Sequence, residues 1–494
     1  MASPSSEPST SAVLAGPDVA TRVVRGSIQR AGGFIAVNMI TAVGAVLMLR
    51  HLGVDNFGRF GTVMALLAIV QGVSDAGLSM TGSRELSIRE SEAERRELLA
   101  HLIGLRIILT AAGVLFAIAF AAANYTSVMV GGTALAGAGV FLVSLQAALL
   151  LPLVVELRNW RLALNDVLSQ VVLVACYLAL VVAGASLLAF FAAQLVTGVV
   201  VMLSTPLLLH RRHLVRPRWS GAQLRMLAVI ALPLAVSSVL SVLYFRILVI
   251  LMSVLERSAT QVGYYVTSAR IIEIFLALPM MLVGVVLPVL SVSSRDDTGR
   301  LNYVTLRMTQ TLALLGTLLA LTLGTGARPI ILVLGGKQYL GAASVLQIQC
   351  LALITIFVTG AWTTTLVGMG RTRALAIGTA IGIAAVGIFG AVLIPPLGAQ
   401  GAAIAAVAAD AVFCGAIYVS VRRSGAASSL AIGPFLRIAL CAAPGLALAL
   451  FSPMPAIVNC LLAASLFVVL SGPLGALPPE IAKRMGGPGG WVRT

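Results

Sequence analysis

The sequence predicts an all-α polytopic membrane protein of about 14 transmembrane helices, and three observations predict it. Mean hydropathy is +1.03, 59% of the 494 residues are hydrophobic, and only 10% are charged. Apolar stretches of about 20 residues recur along the chain, and that length is what crosses roughly 30 Å of hydrocarbon. Lys and Arg fall mainly in every second gap between the stretches, as expected when positive loops are retained on the cytoplasmic side.

Taken in order, the spans are expected at 28–50, 60–80, 98–122, 128–153, 163–184, 188–209, 226–253, 262–291, 303–324, 343–367, 374–394, 401–420, 430–451 and 456–475. With the N-terminus inside, 24 of the 33 basic residues lie in inside segments, five lie outside and four fall within spans. That asymmetry predicts an even number of spans and two cytoplasmic termini. It also accounts for most of the net charge of +16. Nucleic acid is therefore not an expected partner, whereas anionic membrane lipids are. Residues 1–20, rich in Ser, Pro and Ala, read as a tail without a cleavable signal.

Cysteine and histidine exclude several chemistries. Cys176, Cys350, Cys414, Cys441 and Cys460 all fall inside spans without paired spacing, so small apolar packing is expected of them. The four histidines show no helical pair suited to zinc. No metal is predicted.

The segment HRRHLVRPRWSG, from His210 to Gly221, follows six spans and divides the chain. The expected organisation is a cytoplasmic tail (1–26), a six-helix bundle (27–210), a linker (211–225), a second six-helix bundle (226–423), an additional helix pair (424–480) and a final tail (481–494). LGVDNFGRF at Leu52 is echoed about 205 residues later by LERSATQVGYY at Leu255, and GASLLAFFAAQ at Gly184 by GAQGAAIAAVA at Gly398. Halves with an even number of spans insert in the same orientation, which predicts pseudo-symmetric bundles around a central cavity.

Eight soft motifs then occur in sequence. They are LRHLGVDNFGRFG, SDAGL from Ser74, YFRILVILMSVL from Tyr244 with QVGYYVTSARI, LPVLS from Leu287, LGGKQYLGAASVLQI from Leu334, LVGMGRTR from Leu366 and PPLGAQGAAIA from Pro395. In order and spacing the chain resembles the polysaccharide exporters, or oligosaccharide flippases, of the multidrug/oligosaccharidyl-lipid/polysaccharide superfamily. The resemblance implies two six-helix bundles with two extra helices, moving a polyprenyl-diphosphate-linked oligosaccharide across a bacterial cytoplasmic membrane for cell-surface polysaccharide biosynthesis. Sugar identity is not implied by shared fold.

Ionisable groups in spans are the informative residues, because each costs about 2.5–3.5 kcal/mol on insertion scales and so seeks a cavity or a partner. The substrate-cavity candidates are Arg246, Arg270 and Arg106, with Asn38 near the middle of the first span. Arginine suits a diphosphate through its fork of donors. The competing reading is that Arg270 and Glu273, at i,i+3, neutralise each other and that Arg246 snorkels outward. Glu273 and Asp410 are the candidates for carrying a coupling ion, H+ or Na+. Asp410 has the alternative of a plain hydrogen bond across a helix contact. No catalytic residue and no other cofactor are expected.

The charged stretch RELSIRESEAERRELL, from Arg84, is expected to be a solvated helix steadied by Glu85–Arg89 and Glu92–Arg96 pairs. Docking of a polysaccharide polymerase or glycosyltransferase is its second reading. A membrane glycosyltransferase or polymerase fits poorly, since the outside loops are short and carry only Asp55 and Glu256 as carboxylates. A drug or cation antiporter of the same superfamily would need a deep acidic pocket, and the spans hold more Arg than Asp and Glu.

Overall fold

Helices account for nearly every described residue in the computed structural model, as a chain surrounded by hydrocarbon requires for its backbone polar groups. The structure describes residues 19–75, 77–209, 215, 217–256, 258–276, 278–279, 298–424, 432–451 and 454–476. Both expected tails therefore lie wholly or mostly outside the described residues, as do the LPVLS motif and residues 210–214 and 216 at the start of the linker. Large apolar side chains face outward, with Leu115, Phe116, Val182, Leu207, Ile388 and Val392 between 64% and 87% exposed. Only an apolar surrounding makes such a surface favourable.

Two compact units emerge. One comprises Met1–Leu52 with Val63–Val242, and the other Gly53–Thr62 with Leu243–Thr494. The first unit holds most of α1 (Val19–Asp75), then α2 (Leu78–Ile88), α3 (Glu92–Asn124), α4 (Ser127–Leu149), the single turn α5 (Leu151–Val155), α6 (Asn159–Val182) and α7 (Leu187–Leu208). The helix α8 (Gly221–Leu255) runs from the first unit into the second. The second unit continues with α9 (Ala259–Phe275), α10 (Thr298–Thr325), α11 (Ala327–Gly335), a 3-10 turn (Lys337–Tyr339), α12 (Gly341–Gln349), α13 (Ala352–Gly368), α14 (Thr372–Arg423), α15 (Ile432–Phe451) and α16 (Ala456–Ser471).

Among the described residues nine helices are long and apolar enough to cross a membrane, and two shorter apolar ones follow. The difference from fourteen has a backbone cause. Spans one and two are joined through Gly53 (φ 71°) and spans eleven and twelve through Gly398 (φ 53°), so each pair forms one kinked helix. Positive φ is open to glycine at little cost. The echo seen in sequence has the same basis, because Gly184, its partner at Gly398, is also left-handed (φ 63°). Part of span eight lies outside the described residues.

Glycine also sets how closely helices approach. In the first unit α4 and α7 cross at Gly139 and Gly198, where a Cβ on Gly139 would lie 2.4 Å from the Gln194 carbonyl oxygen. Within the same unit Leu98, Leu102, Leu151 and Leu227 belong to one buried apolar cluster. Across the charged stretch the single expected helix is absent. Arg89 is extended (ψ 131°), ending α2, and Ser91 (ψ 128°) begins α3. Neither Glu85–Arg89 nor Glu92–Arg96 is among the ion pairs of the described residues; Arg95 Nε instead donates to the Arg89 carbonyl at 2.7 Å. For Glu85–Arg89 the i,i+4 geometry is lost where α2 ends at Ile88; Glu92 and Arg96 both lie within α3 and keep that spacing without pairing.

Candidate functional site

Arg246 on α8 and Glu273 on α9 meet in the second unit at 2.6 Å. Arg270, one turn before Glu273, reaches its other carboxylate oxygen at 2.9 Å. Spacing of i,i+3 puts Arg270 and Glu273 on one face of α9, as expected. Sequence reading did not anticipate that one carboxylate serves both guanidiniums, so the triad keeps a net positive charge. All three side chains are between 27% and 41% exposed, leaving guanidinium donors accessible.

Glu273 lines a cavity of about 80 Å³ together with Tyr244, Tyr265, Gln349 and Asp410. Asp410 is 9% exposed and accepts a hydrogen bond from the Tyr244 hydroxyl. Local sequence makes that contact possible. A Cβ on Gly382 would lie 2.9 Å from the Tyr244 ring, and Phe413 supports the ring from a centroid distance of 5.3 Å. Gln349, which also lines the cavity, accepts at Oε1 from the Ser268 hydroxyl at 2.6 Å. Tyr244, Tyr265 and Gln349 were not singled out as site residues, although both tyrosines lie within family-like motifs and Gln349 directly follows one. Aromatic and amide residues in soft motifs carry no charge signal, and the Tyr244–Asp410 contact spans 166 residues.

Arg106 and Asn38 lie in the first unit. Arg106 is 4% exposed and is bound on several sides: Asp75 at 2.9 Å, Ser79 Oγ at 3.0 Å and Ser144 Oγ at 3.0 Å. The network fastens the end of α1 and the start of α2 to α3 and α4 across the left-handed turn at Gly77 (φ 69°). Asp75→Asn is expected to lower stability by about 2 kcal/mol, somewhat under the usual 3–5 for breaking a buried pair, because Asp75 itself is 37% exposed. Thermal unfolding of the detergent-solubilised chain measures it. Asn38 is half-buried on α1. Arg437, on α15, donates to the Gly475 carbonyl at 3.4 Å. Among the described residues no three His, Cys, Asp or Glu side chains cluster as metal ligands, and the five cysteines are unpaired.

A second convergence involves the motifs themselves. Within the second unit, residues 53–62 pack on α9 and on the Lys337–Tyr339 turn. Thr260 Oγ1 donates to Asp55 Oδ1 at 2.6 Å, and Phe57 meets Tyr339 edge-on at 6.4 Å. A Cβ on Gly58 would lie 2.3 Å from the Ala259 carbonyl oxygen and 2.7 Å from the Gly263 nitrogen. The Gln261 side chain accepts from the Ala399 amide at 3.0 Å, beside the Gly398 kink. Four of the eight motifs thus form one layer at one end of this unit.

The family model described as "Polysaccharide biosynthesis protein" matches residues 47–344. Among solved structures, the lipid II flippase MurJ in an inward closed conformation aligns with a TM-score of 0.77 at 14% identity, covering 90% of this chain and 98% of that one. An inward-facing multidrug resistance MATE family transporter of the MOP superfamily aligns at 0.66 and 15% identity, covering 82% and 100%. A MOP superfamily transporter from Pyrococcus furiosus aligns at 0.58 and 16%, covering 82% and 96%. No curated protein matches in sequence. The fold is that of these membrane transporters.

Proposed function

From the premise that this chain belongs to the polysaccharide biosynthesis protein family matched over residues 47–344, we propose that it flips a polyprenyl-diphosphate-linked oligosaccharide across the cytoplasmic membrane by alternating access, for cell-surface polysaccharide assembly. The observation that carries this reading is the Arg246–Glu273–Arg270 triad. Two guanidiniums sharing one carboxylate within membrane-spanning helices favour an anion, and a diphosphate matches the planar fork of arginine donors. A cationic drug would meet repulsion at the same place. The positive loops place both termini in the cytoplasm in this reading.

Uphill transport needs a carrier for a coupling ion, and in this reading Asp410 is that carrier. Glu273, held by two arginines, serves the substrate side instead. Polymerase or glycosyltransferase partners would receive the flipped product. Deleting the gene is expected to leave lipid-linked oligosaccharide on the cytoplasmic leaflet, detected by its protection from externally added lectin or glycosidase and identified by mass analysis. Normal surface polysaccharide with no accumulated lipid would reject the assignment.

A further inference from the structure

We propose that the seam between α13 and α14 is a water-lined proton path leading from Asp410 to the helix end that carries Arg422 and Arg423. It rests on the reading of Asp410 as the ion carrier and goes further, committing to the proton as that ion and to a route. The cavity beside Asp410 measures about 80 Å³, and a water molecule needs roughly 10–15 Å³ of such volume. Several waters fit.

Its lining continues as a stripe. Ala352 and Ile356 line the cavity from α13, while Ala406 and Asp410 line it from α14. Continuing at helical spacing, the next positions toward the Arg422 end are Thr359 and Trp362 on α13, and Cys414 and Tyr418 on α14. The seam at this depth is polar: Thr359 lies beside the Cys414 thiol, and the Trp362 indole packs on the Tyr418 ring at 5.5 Å. Trp362 is 6% exposed, and its Nε1 has no hydrogen-bond partner. A buried donor without a partner in a folded interior points to water in the seam.

From Asp410 to Tyr418 the rise along α14 is about 12 Å, and Arg422 is one turn further. The groups facing Asp410 are Tyr244 from α8, Tyr265 and Glu273 from α9, Gln349 from α12 and Cys414 on its own helix. In the step itself the Asp410 O–H bond breaks and its proton joins an adjacent water. That water passes a proton along the seam, one leaves at the Arg422 end, and the carboxylate keeps the Tyr244 hydrogen bond.

The test uses the full chain in liposomes, with Cys176, Cys350, Cys441 and Cys460 replaced by Ala and a charged methanethiosulfonate reagent added on the Arg422 side. Cys414 is expected to react about tenfold faster than a cysteine placed on the lipid-facing side of the same helix by Val419→Cys in a Cys414→Ala background, since only a wetted thiol ionises and reacts. Thr359→Cys in that background is expected to behave like Cys414, and Trp362→Phe to slow labelling of Cys414. Rates at Cys414 and Thr359→Cys no higher than at Val419→Cys overturn the path. Labelling requires no lipid substrate, so its failure leaves the flippase reading standing, and failure of the lipid-accumulation test leaves the water path standing.

Discussion

Cells carrying Arg246→Gln together with Arg270→Gln are expected to stop exporting the lipid-linked glycan while still placing the chain in the membrane. Each guanidinium can make charge-assisted hydrogen bonds to a diphosphate, and such bonds are worth about 1.5–3 kcal/mol each. Losing two corresponds to roughly a hundredfold to ten-thousandfold weaker binding. The double variant also strands Glu273 beside the cavity, so the comparison needs Arg246→Gln, Arg270→Gln and Glu273→Gln combined, which removes charge without leaving a lone carboxylate. Both are expected to accumulate the lipid-linked precursor. Arg437→Gln, whose side chain reaches only the Gly475 carbonyl, is expected to export normally. Export at the ordinary rate by the triple variant, at matched membrane levels, would remove the triad from the mechanism.

The second large effect is steric. Gly58→Val and Gly263→Val are each expected to abolish the folded second unit, because a Cβ at Gly58 would sit 2.3 Å from the Ala259 carbonyl oxygen and one at Gly263 would sit 2.3 Å from the Val54 carbonyl oxygen. Those neighbours are backbone and cannot swing aside. Overpacking that backbone must absorb costs about 1–3 kcal/mol or more, and here two helices would have to separate. Gly387→Ala is the matched control, since nothing lies within 4 Å of its Cβ direction, and alanine is the better helix former by about 1 kcal/mol. Size-exclusion profiles and thermal unfolding in detergent separate the outcomes. A Gly58→Val chain that melts with the unaltered protein would show that residues 53–62 do not pack on α9 as described.

What could be read from the sequence, and what could not, divides along physical lines. Hydropathy and charge asymmetry are summed over many residues, so the membrane class and the span positions were legible. The joining of spans at Gly53 and Gly398 was not, because it depends on the φ of a single residue. The Arg270–Glu273 pair was legible since helical spacing fixes it. Arg246 joining it was not, nor was Tyr244 meeting Asp410, because contacts across 27 and 166 residues depend on how helices pack. Glu85–Arg89 failed for a local reason: i,i+4 spacing has meaning only while the helix continues, and α2 ends at Ile88.

The layer built on residues 53–62 has a consequence for biosynthesis. This turn leaves the ribosome long before the positions it docks on, since Thr260 follows Asp55 by 205 residues. At a translation rate of about 5–20 residues per second, the delay is roughly 10–40 s. During that interval the newborn hairpin stands in the bilayer with Phe57 not yet covered by Tyr339. Nascent chains arrested before residue 258 should therefore expose a cysteine at position 57 to reagents that the released, full-length protein, where Phe57 is 4% exposed, resists.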